Sequence, residues 1–128
     1  MGTRSLTFVY DERRQPVINM YRQYDGYPSG HGRELAEFLS PFTIVNGIGR
    51  ETKNIANGMG CLAAQMVAHF KTEVGQFYLH SVMEADCGQD YEYHVYENRV
   101  VVKNYNGNEV FSGTWELFDK FCSAEEIA

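Results

Sequence analysis

Short runs of alternating apolar and polar residues predict β-strands with one buried face. The first run is LTFVY at residues 6–10, and the second covers residues 17–24. Only the polar segment DERRQP separates them, which predicts a β-hairpin. The same pattern predicts later strands at residues 76–83, 91–97, 99–105 and 109–112. Asn106-Gly107, between the last two, predicts a second tight hairpin turn.

Helical spacing is clearest in NGMGCLAAQMVAHFK, where apolar residues recur at i, i+3, i+4, i+7, i+8 and i+11. These residues are Met59, Leu62, Ala63, Met66, Val67 and Phe70. We predict Asn57 as the N-cap of this helix, with Thr52 or Asn54 as alternative starts.

The order of these elements predicts the fold class. A short helix is expected at residues 33–39 and a closing helix after Thr114, whereas residues 40–53 look irregular. Runs of strands and runs of helices, without strict alternation, indicate an α+β protein. We expect a single domain, 1–128, with a mostly antiparallel sheet of about five to six strands. Two main helices should pack on one face, followed by a short C-terminal helix and a frayed tail at 123–128.

Composition and charge exclude several classes of function. The net charge is −6 and the eleven basic residues form no run, so a nucleic-acid-binding patch is missing. No segment approaches the ~20 apolar residues of a membrane span. Cys61, Cys87 and Cys122 are odd in number without a C-x-x-C pair, and no secretory signal is recognisable. We therefore expect a cytoplasmic protein that binds neither nucleic acid nor membrane and uses no cofactor.

Glycine-rich segments precede both main helices and are the best candidates for a ligand site. In DGYPSGHG, glycines and a helix start would let an anion approach backbone N–H groups. The alternative is that the glycines only shape a sharp turn. The segment NGMG repeats the arrangement, and the sequence leaves open whether the two helix starts share one pocket. The candidate ligand-binding residues are Gln23, Asp25, Gly26, Tyr27, Ser29, Gly30, His31, Gly58, Gly60 and Cys61.

A cysteine near the start of a helix also allows a catalytic hypothesis. The helix dipole stabilises a thiolate at Cys61, and His80 or His94 on a later strand would be the base. This is the chain order of papain-like cysteine hydrolases, although their local sequence signatures are absent. The alternative is that Cys61 packs on a face of small residues.

Two further groups of residues have weaker patterns. Glu84, Asp86, Cys87 and Asp90 lie near His80 and His94 in the sequence, but no zinc spacing is recognisable, so we predict a polar inter-strand loop and no metal site. Four tyrosines would form either an exposed aromatic surface or cross-strand packing. They are Tyr78, Tyr91, Tyr93 and Tyr96.

Three segments carry a resemblance to a known group of proteins. MGTRSLTFVY, YRQYDGYPSGHGRELAEFL and NGMGCLAAQMVAHFK followed by GQFYLHSV are similar to small proteins of bacteriophages, large viruses and environmental viral sequences. The resemblance covers about residues 1–83. It implies a viral protein in a host-cell cytoplasm. No activity is assigned to that group, so no residue role is carried over.

These observations favour binding over catalysis. The first hypothesis is a small protein that binds an anionic or nucleotide-like ligand, or a host protein. The second is a structural or interaction protein that forms a homodimer through an edge strand or its tyrosine-rich face. The third is the cysteine-dependent hydrolase.

Overall fold

The α+β class is confirmed by the computed structural model, which describes residues 2–51 and 53–127. The strands are β1 (Ser5–Tyr10), β2 (Pro16–Arg22), β3 (Thr43–Val45), β4 (Ile55–Asn57), β5 (Phe77–His80), β6 (Tyr91–Tyr96), β7 (Arg99–Asn104) and β8 (Glu109–Gly113). The helices are α1 (Arg33–Leu39), α2 (Gly58–Phe70) and α3 (Trp115–Ile127). None of these helices is long and apolar enough to cross a bilayer.

Six strands form one sheet in the order β5-β2-β1-β6-β7-β8. Both predicted hairpins are present: β1 pairs with β2, and β7 pairs with β8 across the turn at Gly107. All neighbours are antiparallel except β1 and β6, which are parallel. Because β5 and β6 lie on opposite sides of the β2–β1 pair, residues 81–90 cross over the sheet between them. We call this segment the crossover loop.

The helices cover one face of the sheet, which we call the helix face. Alternation along β1 and β6 directs Thr7, Val9, Tyr93 and Val95 to this face, and all four are fully buried. Phe118 of α3 and other helix side chains complete the core there. The amphipathic pattern that predicted α2 corresponds to the stripe buried against the sheet.

The crossover loop lies on the opposite face, which we call the far face. Asn19 of β2 is fully buried there, and its side-chain amide donates to the carbonyls of Ser81 (3.1 Å) and Glu84 (2.9 Å). At the other end of the loop, the backbone N–H of Arg4 donates to the Asp90 carboxylate at 2.9 Å. The loop is therefore fastened to the sheet at both ends.

Three boundaries differ from the predictions. Residues 40–53 contain β3, which pairs in parallel with β4. The fifth strand is shorter than expected, because Gln76 has a positive φ and a turn begins at Ser81, whose carbonyl accepts the N–H of Glu84. At the C-terminus, α3 is capped by Thr114 as predicted and continues through Ile127, and Ala128 lies outside the described residues.

Candidate functional site

Several backbone donors of the DGYPSGHG loop are already bonded within the protein. A π-helical turn, Pro28–Gly32, leads straight into α1. The N–H of Gly30 donates to the Tyr27 carbonyl at 2.9 Å. The N–H of His31 donates to the Asp25 carbonyl at 2.7 Å. These two groups close the turn and are not available to an anion. The alternative interpretation, in which the glycines supply positive φ, is wrong in its detail, because the positive φ of this loop is at Asp25 and not at Gly26, Gly30 or Gly32.

His31, a candidate ligand-binding residue, is fully buried under the sheet. Its Nδ1 lies 3.2 Å from a guanidinium nitrogen of Arg22, and its Nε2 lies 2.7 Å from the hydroxyl of Thr7. Because a guanidinium only donates, Nδ1 must accept, and the ring proton is on Nε2. Thr7 then accepts that proton. The imidazole is a bonded part of the core and is closed to a ligand.

Burial also keeps His31 neutral. Desolvation, followed by the neighbouring Arg22 guanidinium, lowers the pKa of His31 from its usual value near 6.5 to about 3. The guanidinium is itself buried and is held by the Tyr24 carbonyl (2.8 Å) and the Glu34 carboxylate (3.0 Å). Sequence reasoning missed this Arg22–His31 contact, although an arginine inside an apolar strand indicates a buried partner.

Gly26 is required by close approach of the backbone. A Cβ at this position would come within 2.8 Å of the backbone carbonyl carbon of Arg4 and within 2.9 Å of the backbone nitrogen of Ser5. Its N–H donates to the Thr3 carbonyl at 2.8 Å, and its carbonyl accepts the hydroxyl proton of Tyr93 at 2.7 Å. The loop is thus fastened to the start of β1 and to β6.

The loop still presents some side chains to solvent. Gln23, Asp25 and Tyr27 are exposed, and the Tyr27 hydroxyl donates to the Asp25 carboxylate over a long 3.4 Å contact. Ser29 and Gly30 are half-buried.

The start of α2 is occupied by a carboxylate of the protein. Glu12 Oε2 accepts the N–H of Met59 at 2.6 Å. A carboxylate at this place neutralises the positive end of the helix dipole. The predicted N-cap, Asn57, makes no capping bond and accepts the N–H of Gly47 instead. Thr52 lies outside the described residues. An anion at Gly58 would have to displace the Glu12 carboxylate, whereas nothing lies within 4 Å of a Cβ added at Gly60.

The two glycine-rich segments do not share a pocket. The first is bonded to Thr3, just before β1, and the second to Glu12, just after it. The six residues of β1 span about 20 Å. The end of α2, not its start, reaches the first loop, where the rings of Phe70 and His31 lie 5.4 Å apart. The two helix starts are therefore separate, because the segments flank opposite ends of the same strand.

Cys61 and the two candidate bases lie on opposite sides of the sheet. Cys61 is half-buried on α2 and accepts a hydrogen bond from Gln65 at 3.3 Å. His80 packs against Tyr21 on the far face, with ring centroids 5.2 Å apart. His94 lies on the far face as well, where it stacks on Phe8. The sheet between them gives the hydrolase hypothesis no geometric support.

Both ring nitrogens of His94 are bonded on the far face. Nε2 lies 3.0 Å from the Glu92 carboxylate and Nδ1 lies 2.7 Å from the Tyr10 hydroxyl. The bond to His94 lowers the pKa of Glu92, and burial, with Tyr96 beside it, raises the pKa of the Tyr10 hydroxyl. The raised pKa disfavours a reactive Tyr10 phenolate. The hydrogen bonds of Glu92, His94 and Tyr10 instead hold a set of stacked rings in place.

The four tyrosines do not form one surface. Tyr93 is fully buried on the helix face, and Tyr91 packs against the same core. Tyr96 stacks on Tyr10 across the far face, with ring centroids 4.4 Å apart. Only Tyr78, on edge strand β5, is largely exposed. Cross-strand packing accounts for this arrangement.

An apolar groove beside edge strand β5 was missed from the sequence. We call it the edge groove, and it has a volume of about 350 Å³. It is lined by Met20, Val67, Lys71, Phe77, Tyr78 and Leu79. Leu79 is 58% exposed, although it lies on the same face of β5 as the buried Phe77. An apolar residue at this position of the strand was the only sign of the groove in the sequence.

The crossover loop brings three of its polar residues together. The ligand atoms of His80, Glu84 and Cys87 all lie within 4.8 Å of one another. Burial, with the Glu84 and Asp86 carboxylates nearby, raises the pKa of the Cys87 thiol. Asp86 and Asp90 are engaged elsewhere, by the backbone N–H groups of Gly88 and Arg4.

Comparisons of the chain with protein-family models, curated proteins and solved structures found no match. The resemblance to small viral proteins therefore stays a prediction, and the argument for function depends on the geometry of this chain.

Proposed function

We propose that this is a small binding protein whose edge groove holds an apolar ligand carrying a negative charge. The observation that carries the proposal is the groove itself, a cavity of about 350 Å³ with five apolar or aromatic side chains and one lysine. Small-molecule sites are usually concave and mostly apolar, with a few polar groups that orient the ligand. The sequence also suggested an anionic ligand, but it placed that ligand at the glycine-rich loops. We now place it in the edge groove.

Lys71 supplies the charge that supports this ligand class. Its ammonium donates to the carbonyls of Val74 (3.2 Å), Gly75 (3.1 Å) and Phe77 (2.6 Å). It also lies 5.0 Å from the centre of the Tyr78 ring. Carbonyls and a ring orient the ammonium without neutralising it. Among the described residues, no carboxylate lies within ion-pair distance of Lys71, so a ligand carboxylate or sulfonate would be the first full counter-charge.

Homodimer formation through the edge of β5 has less support. The register of β5 against β2 directs the backbone groups of Phe77 and Leu79 outward. The Phe77 carbonyl is already taken by Lys71, and the Phe77 N–H donates to Gly75. A lysine that covers an edge strand is a common protection against strand pairing. Light scattering that shows a stable dimer would favour this alternative.

A pair of ligands with equal chains and opposite charges tests the proposal. Decanoate and decylammonium are titrated into the protein, and methyl shifts of Val67 and Leu79 are followed by NMR. We expect decanoate to bind about 1.4- to fivefold more tightly, since an exposed ion pair contributes roughly 0.2–1 kcal/mol. Lys71→Met should abolish this preference and Lys71→Arg should keep it.

A matched pair of surface variants locates the binding. Leu79→Asp should weaken both ligands at least tenfold, whereas Val110→Asp, on the other edge of the sheet, should change neither affinity. Unchanged methyl shifts at millimolar decanoate would contradict the proposal. Binding of an acidic, apolar protein segment with the same Lys71 dependence would instead identify a host partner.

We place this activity in the cytoplasm, and in a host cell if the viral resemblance holds. The support is chemical: Cys61 and Cys87 form no disulfide. Reducing compartments keep thiols in that form. Secretion of the protein with oxidised cysteines would contradict this placement.

A further inference from the structure

We infer that His80, Glu84 and Cys87 bind a Zn²⁺ ion where the crossover loop leaves β5. The three side chains offer an imidazole nitrogen, a carboxylate oxygen and a sulfur, and all three ligand atoms lie within 4.8 Å of one another. Zinc accepts this mixed donor set, whereas Ca²⁺ and Mg²⁺ favour oxygen ligands alone. The site goes beyond the proposed binding function and uses none of the residues that line the edge groove.

The separations suit a tetrahedral ion after a small adjustment. Zinc bonds of about 2.0–2.3 Å at tetrahedral angles place neighbouring ligand atoms roughly 3.3–3.8 Å apart. Cys87 Sγ and Glu84 Oε2 are already 3.8 Å apart. The remaining separations need to close by at most about 1.5 Å. Glu84 is exposed, so its side chain is free of packing that would oppose this movement.

The backbone around the three ligands is held in place. His80 is the last residue of β5, and Asn19, its register partner on β2, fixes the carbonyls of Ser81 and Glu84. Gln89 closes the other side of the loop, because its side chain accepts the N–H of Cys87 at 2.7 Å and donates to the carbonyl of residue 85 at 2.8 Å. Turns fastened in this way reduce the entropy that a metal must overcome to order its ligands.

The three protein ligands would leave one coordination position of the zinc ion open. Three protein ligands with three- and two-residue gaps leave the fourth tetrahedral position to water or to a small ligand. His80, Glu84 and Cys87 come from one strand end and one loop, so the ion would join the crossover loop to the sheet edge. Binding should therefore stabilise the fold by an amount that depends on the Zn²⁺ concentration.

Cobalt substitution tests the site through its sulfur ligand. The reduced full-length protein is titrated with Co²⁺, and absorption is followed for the sulfur-to-cobalt charge-transfer band. We expect a band that saturates at one ion per chain and is removed by one equivalent of Zn²⁺. Cys61→Ser, which changes another half-buried thiol, should keep the band, whereas Cys87→Ser should lose it. His80→Gln should weaken Co²⁺ at least tenfold, and His94→Gln should leave its affinity unchanged.

A second measurement needs no variant. Zn²⁺ should protect Cys87 of the wild-type protein from iodoacetamide, with the modified peptide identified by mass spectrometry, and should raise the melting temperature. Ca²⁺ should do neither. Absence of both the cobalt band and the protection at millimolar metal would overturn the inference. A band that persists in Cys87→Ser would also overturn it, because the ion would then be bound elsewhere.

Discussion

The two polar loops of this protein make opposite use of their side chains. The DGYPSGHG loop has the glycines, the histidine and the following helix that usually suggest a ligand site, yet its buried histidine and several of its backbone N–H groups bond to the protein. The crossover loop resembles an ordinary polar connection, yet it brings unlike metal-ligating atoms within 4.8 Å. From composition alone, the DGYPSGHG loop would have been the better candidate for a ligand site.

Burial explains the difference. The first loop lies against the sheet core and α3, and a buried polar group without a partner costs about 1–3 kcal/mol. Internal hydrogen bonds of its buried donors and acceptors therefore stabilise the folded protein. The crossover loop is fastened through two of its backbone carbonyls, which bond to Asn19, and through the Asp90 carboxylate. Its Glu84 side chain is exposed. Glu84 and Cys87 of this loop therefore keep the capacity to bind an ion together with His80.

Substitution of two glycines should have the largest effects on stability, with opposite signs. Gly26→Ala should destabilise the protein by about 2–3 kcal/mol, because a Cβ there would overlap the backbone of Arg4 and Ser5. Gly60→Ala should stabilise it by up to about 1 kcal/mol, because Gly60 lies in α2 with nothing near the added Cβ. Urea unfolding measures both changes. A neutral Gly26→Ala would refute the close-packed interpretation of the loop.

The buried histidine gives the next effect. The pKa of His31 is lowered to about 3, so the unfolded chain takes up the proton first as the pH falls below 6.5. The stability contributed by neutral His31 is complete above pH 6.5 and is lost between pH 6.5 and about 3. This amounts to about 2 kcal/mol between pH 7 and pH 5. We expect the imidazole NMR signal of His31 to stay at its neutral position down to pH 4. Titration near pH 6 would contradict its burial.

The carboxylate at the start of α2 gives the smallest effect. Glu12→Ala should cost about 1 kcal/mol, because the N–H of Met59 loses its partner and the helix dipole loses a charge. Glu97→Ala is the matched control, since Glu97 is an exposed carboxylate that lines the same cleft. Urea unfolding of the two variants separates capping from general charge removal. Equal losses would show that Glu12 acts only through the net charge.

Local structure was the most predictable part of the molecule. The stripe from Met59 to Phe70 predicted α2, and Asn106-Gly107 predicted the last hairpin, because both depend on neighbouring residues in the chain. The parallel pairing of β1 with β6 was not predictable, since it depends on contacts between distant segments. Asn57 is at the N-cap position of α2 as predicted. The carboxylate that bonds to the helix start was missed, because Glu12 lies in the distant turn between β1 and β2.

The candidate sites show the same division. Residue types and spacing were sufficient to name His31, Cys61, His80 and Cys87 as chemically capable groups. They were insufficient to tell which groups the fold buries, which it separates by a sheet and which it brings together. Hydrophobic periodicity depends on residues that are close in the sequence, so it can be recognised from the sequence alone. Proximity of reactive atoms depends on strand order and on which face each side chain occupies, and these follow from packing of the whole chain.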